Sequence, residues 1–260
     1  MVAFLVAWCW RATTKGHWAR YSAVFAAVLL ANEALLGAAL VLLGHVAKDQ
    51  SIGRVLFLGL HFSNTLLLLA TLALTATWLR SGSANFTVIR NPHELAAIVT
   101  GLLATTLIGI TGTVAAPGDT LFPARSLKSS ILRDFTSGAP ALLRLRLLHP
   151  VIAVLAGTYV VWVVFKNTTQ RQGESRTVLI LILFAAQFSI GLINVSLLAP
   201  VWVQVLHLFV ADGLWITLVL ASADLALEPA AVRPACAANG RLSLYKNPHV
   251  ALERFLIGKN

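Results

Sequence analysis

The sequence predicts an all-α fold, a polytopic bundle of transmembrane helices. Of its 260 residues 58% are hydrophobic and only 12% are charged, whereas a soluble domain is nearer a quarter charged. Six apolar stretches are each long enough to cross about 30 Å of hydrocarbon at 1.5 Å per residue. Their apolar residues do not alternate, and the runs are too long for barrel strands.

In chain order, the first element is the apolar start Met1–Trp10. Ten residues reach only about 15 Å as a helix, and the stretch lacks the basic n-region and small-residue cleavage site of a signal peptide. It is expected to be the inner half of a helix that begins upstream. The six spans run roughly Tyr21–Leu43, Val55–Leu79, Leu95–Ala116, Leu147–Phe165, Val178–Leu198 and Val201–Ala223. A longer loop, Pro117 to Arg146, joins the third to the fourth, and a tight turn at Pro200 joins the last two. Asp224 to Asn260 reads as a polar cytoplasmic tail. Its KNPH (Lys246 to His249) echoes RNPH (Arg90 to His93).

The net charge of +10 does not point to nucleic acid. The cations sit in short loops and the tail, where positive charge sets topology. Arg11, Lys15, Arg20, Arg80, Arg90, Lys166, Arg171 and Arg176 share one face with the tail, which makes that face cytoplasmic. Lys48, Arg54 and the longer loop fall outside. The two cysteines, Cys9 and Cys236, offer neither a metal pattern nor a disulfide framework.

The chain also resembles itself. Setting Asn32–Gly37 against Ala186–Gly191 pairs Glu33 with Gln187 and Gly37 with Gly191. Shortening the following loop by eight residues then pairs His61 with His207, Thr71 with Thr217 and Leu72 with Leu218. Extended backwards, the first alignment puts the counterpart of His149 about five positions upstream of Met1. The expected organisation is two pseudo-repeated four-helix units with the first incomplete: residues 1–80, residues 81–223, then the tail 224–260.

Polar groups inside a membrane are expensive and mark function. Three histidines qualify, and all approach from the outer side. His61 lies six residues past Val55, His207 six past Val201, and His149 opens its span just inside Arg144 and Arg146. One such histidine is most simply a helix–helix hydrogen bond, worth about 0.6 kcal/mol. Three at a similar depth point to metal ligation, since neutral imidazole is the common iron ligand and facing helices build such sites. No carboxylate or cysteine accompanies them at zinc-like spacing. A bis-His haem between His149 and His207 fits best, with His61 ligating through a partner that lies upstream. Arg144 and Arg146 are suited to haem propionates. Glu33, Gln187, Asn64 and Asp212 either line a cavity and orient a ligand or join helices by hydrogen bonds. His17, His45, His93 and His249 are not expected to bind metal.

The stretch Phe188–Ala223, the segment RLRLLHP (Arg144 to Pro150) after GDTLFPARSL (Gly118 to Leu127), and Glu33–Thr65 together resemble the haem A synthase family from Met1 to about Leu225. The resemblance implies an eight-helix enzyme of two halves in the cell membrane, in a bacterium the plasma membrane. It would oxidise a methyl group of haem O to the formyl group of haem A for cytochrome oxidase. It implies a haem b cofactor on His149 and His207 and a substrate site with His61 as one ligand. The second substrate histidine and a catalytic carboxylate would lie upstream of Met1. Its partners would be haem O, membrane lipid, a haem O-producing enzyme and an electron donor. Two readings compete: a non-enzymatic bis-His haem electron carrier, and a transporter built from repeats, against which the continuous spans weigh.

Overall fold

The structure is a computed structural model that describes residues 1–46, 49–81, 86–88, 91–123, 125–136, 141–168 and 174–229. They form helices α1 (Val2–Ala12), α2 (Trp18–Leu42), α3 (Ile52–Ser81), α4 (Pro92–Leu121), α5 (Leu127–Asp134), α6 (Ala141–Arg146), α7 (Leu148–Thr168), α8 (Glu174–Ser196) and α9 (Val201–Ala226). Six of them, α2, α3, α4, α7, α8 and α9, are long and apolar enough to cross a membrane. The protein is an all-α, multi-pass membrane protein. One short ladder accompanies the helices: β1 (Phe86–Val88) pairs antiparallel with β2 (Leu227–Pro229).

Lipid is as apolar as leucine, so these helices associate through packing and hydrogen bonds rather than hydrophobic burial. Accordingly the outer faces stay apolar and exposed, while a thin seam is buried. Between α2 and α3 the hydroxyl of Ser22 donates to the Thr71 carbonyl at 3.1 Å and accepts from Thr75 Oγ1 at 2.8 Å. Across to α9, Trp215 Nε1 donates to the Leu66 carbonyl at 2.8 Å, beside a cluster of Leu66, Trp215 and Val219. A second cluster, Val160, Val164, Ile180, Leu214, Leu218 and Ala221, joins α7, α8 and α9. Helix α4 comes close to α3 because Gly109 has no side chain: a Cβ there would lie 2.3 Å from the Phe62 ring.

Helix starts are set by local chemistry. His17 Nδ1 accepts the Ala19 N–H and caps α2. Asn91 accepts the His93 N–H and Pro92 takes the first turn of α4, where a missing N–H costs nothing. The tetrapeptide RNPH thus includes a helix start; its echo at residues 246–249 lies outside the described residues, as do Lys48, Arg90, Arg171 and Cys236.

Two boundaries are corrected. The outer loop does not begin at Pro117, because α4 continues through that proline to Leu121. The loop itself contains α5 and α6, and α5 starts with a reciprocal cap between Ser126 and Ser129. The tail does not begin at Asp224 either. Asp224 pairs with Arg176 of α8, and the compact unit extends to Pro229 through the ladder. Residues 230–260 lie outside the described residues.

Candidate functional site

Helix α7 places His149 one residue past its start, and α9 places His207 six residues past Val201. Their rings face each other with centroids 6.4 Å apart and planes at 84°. Two imidazoles binding one metal from opposite sides, at about 2.0–2.1 Å per metal–nitrogen bond, stand about 6 Å apart centre to centre. That separation is compatible with a shared metal, and the edge-to-face arrangement is also an ordinary contact between two rings.

Each ring is set by a neighbouring helix. His149 Nδ1 lies 3.1 Å from Thr111 Oγ1 of α4. One residue on, a Cβ built on Gly112 would sit 3.1 Å from His149 Cε1. His207 Nε2 lies 3.2 Å from the amide nitrogen of Gln187 on α8, and a Cβ on Gly191 would sit 3.3 Å from His207 Cε1. His207 Nδ1 is buried without a partner. With Nε2 accepting from the Gln187 amide, the ring proton sits on Nδ1, a buried donor without an acceptor, where such atoms are normally satisfied.

His61 stands elsewhere, on α3 against α2. Its Nε2 lies 3.5 Å from Glu33 Oε1, and a Cβ on Gly37 would sit 3.7 Å from its Cε1. His61 Nδ1 is also buried without a partner. Glu33 is held from both sides: Thr65 Oγ1 donates to Oε1 and Asn64 Nδ2 to Oε2. Asn64 in turn donates to the Leu29 carbonyl at 2.9 Å and accepts from Asn32 at 2.8 Å. The structure thus brings His149 and His207 together and puts a carboxylate on His61.

The expectation that no carboxylate accompanies these histidines at zinc-like spacing holds for local spacing only, and Glu33 corrects it. Glu33 lies nine residues before the end of α2 at Leu42 (42 − 33), and His61 nine after the start of α3 at Ile52 (61 − 52). Residues equidistant from the turn of an antiparallel hairpin meet, and that was the available signal. Asp212 takes part in none of these contacts.

Arg146 does not face a vacant acidic site. Its guanidinium donates to both oxygens of Asp134, at 3.1 and 2.6 Å, to Asp119 at 3.1 Å and to Ser130. The carboxylates it meets are the protein's own, which ties the ends of α4, α5 and α6 together. The side chain of Arg144 lies outside the described residues.

The cytochrome oxidase assembly protein family, COX15-CtaA, matches residues 1–219. The match spans most of the chain, and the chain belongs to that family. Two curated relatives, from two strains of Thermus thermophilus and each named protoheme IX farnesyltransferase, are 40% identical over 239 residues. The match covers 89% of this chain but only 38% of each relative. No solved structure matches.

Proposed function

We propose that the protein oxidises a methyl group of haem O to the formyl group of haem A, a four-electron oxidation that takes its oxygen from water (R–CH3 + H2O → R–CHO + 4 H+ + 4 e−) and passes the electrons to an acceptor outside the chain, and that His149 and His207 would hold a haem b able to carry electrons. The observation that carries this reading is the His149–His207 pair at 6.4 Å. Two imidazoles are too few ligands for a bare ion, whereas haem iron brings its ring nitrogens and asks only for axial ligands. The side-chain-free surfaces of Gly112 and Gly191 beside the two rings fit such a group. A bis-His haem supplies one-electron transfer. The residues of the chain do the rest: Thr111 and Gln187 orient the imidazoles, and α4 and α8 wall the site.

In this reading residues 1–80 carry the substrate haem, with His61 as a ligand. The relatives named for farnesylation of protohaem IX support a farnesylated haem as substrate, and an enzyme of that kind as the partner that supplies it. The histidines lie toward the outer face, an orientation that the cations of the short loops support.

The test is mass spectrometry of haems extracted from cells that produce haem O and this protein within its full natural length. Formyl haem is expected with the unaltered protein and absent with His149→Ala or His207→Ala. Haem-loaded protein that never yields formyl haem would instead establish an electron carrier.

A further inference from the structure

We propose that Glu33 is the positioning residue of the His61 site, a carboxylate built to hold one ring nitrogen of His61 and leave the other for iron. The inference rests on the reading of His61 as a ligand of the substrate haem.

Glu33 lies in the middle of a membrane helix, where an unpaired carboxylate is costly. The fold meets that cost with a dedicated set of donors. Thr65 Oγ1 serves Oε1 and Asn64 Nδ2 serves Oε2, while Asn64 is itself fixed by Asn32 and the Leu29 carbonyl. Held from both ends, the carboxylate has a fixed orientation, and Oε1 faces His61 Nε2 at 3.5 Å, within ion-pair reach and a small ring movement short of a hydrogen bond. The opposite nitrogen, Nδ1, is buried and unpartnered. An imidazole that bonds a carboxylate through one nitrogen presents the lone pair of the other, and this arrangement fixes tautomer and ring orientation at metal sites. Helix joining alone would not require both carboxylate oxygens to be pinned beside a ring with one open nitrogen. At His207 the corresponding contact is with Gln187, a neutral amide. Glu33 therefore also gives the two sites different charge.

The experiment is titration of the purified full chain with protohaem IX, read by absorption and by spectroelectrochemical midpoint potential. His61→Ala defines the His61-dependent component. Glu33→Ala is expected to weaken that component by tenfold or more, in the range seen for partners of metal-bound histidine. Glu33→Gln keeps the shape and a hydrogen bond, so binding should stay within about twofold. Its midpoint potential should move to more positive values, because a negative charge that favours ferric iron is gone. A Glu33→Gln protein with unchanged potential overturns the proposal, even where Glu33→Ala fails to fold. If His61→Ala removes no component, His61 is not a ligand, and the underlying reading fails separately from any result on Glu33.

Discussion

Two histidines on two helix hairpins illustrate how similar surroundings differ in chemistry. His61 and His207 each lie over a glycine of the preceding helix, and each has a polar residue one turn before that glycine. At His61 that residue is Glu33, a carboxylate pinned by Asn64 and Thr65; at His207 it is Gln187, an amide whose Oε1 is left without a partner. His207 faces a second imidazole, His149. Among the described residues no second imidazole faces His61. One position therefore separates a carboxylate setting from an amide one.

The connections above the two sites differ in the same sense. Over His149 the loop is closed by Arg146, which is buried, as is Asp134. Over His61 the connection between α2 and α3 holds a partly exposed contact in which Asp49 bonds His45 and Ser51. Burial decides the worth of each. Breaking a buried pair strands a charge and costs about 3–5 kcal/mol, while water and salt leave little to an exposed pair.

The largest expected effect is therefore at Arg146. Arg146→Ala should destabilise the detergent-solubilised protein by about 3–5 kcal/mol, because Asp134 and Asp119 lose their partner. The double change Arg146→Ala with Asp134→Ala should recover part of it. An unfolding midpoint for Arg146→Ala within error of the unaltered protein would show that the loop does not need its clamp.

A graded set of glycine substitutions comes next. Alanine at Gly112 or Gly191 would put a Cβ 3.1 or 3.3 Å from the ring it faces, against 3.7 Å at Gly37. The first two distances are tighter than ordinary contact and push on His149 and His207, at a cost of about 1–3 kcal/mol. The third is ordinary van der Waals contact. Gly112→Ala and Gly191→Ala should disturb the low-spin haem spectrum, and Gly37→Ala should leave haem binding at His61 intact. Equal behaviour of all three would mean that the space beside these rings does not matter.

How much of this was legible in the sequence follows from what sets each feature. The six spans are fixed by local hydropathy, and each begins or ends within a few residues of its helix. Helix α4 overran its expected end because Pro117 does not stop a helix when surrounding groups accommodate it. Helices α5 and α6, of eight and six residues, are too short to show a period. His61, His149 and His207 stood out because polarity in an apolar run is conspicuous. The pairings of Glu33 with His61 and of Arg146 with Asp119 and Asp134 did not. They are contacts between elements, and the loop that fixes the second has no pattern of its own.

The smallest expected effect lies in the partly exposed turn above His61. The Ser51 side chain first, then His45 and the Ser51 backbone N–H, hold the Asp49 carboxyl down at about 2, against an ordinary 3.8. A folded value below the unfolded one means that folding favours the ionised form. The contribution is thus fully present above about pH 4 and is lost as pH falls through about 2. Asp49 is half-buried at the membrane edge, so solvent and salt still screen the effect. Asp49→Asn cannot ionise, and its stability should fall less steeply than that of the unaltered protein between pH 4 and pH 2. The two should also converge at the acid end of that window. The comparison is read from thermal unfolding of both proteins in the same detergent at low salt, with the gap shrinking in 1 M salt. Parallel curves across the window would show that the turn takes nothing from its carboxylate. The buried clamp over His149 would then have no counterpart over His61 at all, and the difference between the two connections would be one of kind rather than degree.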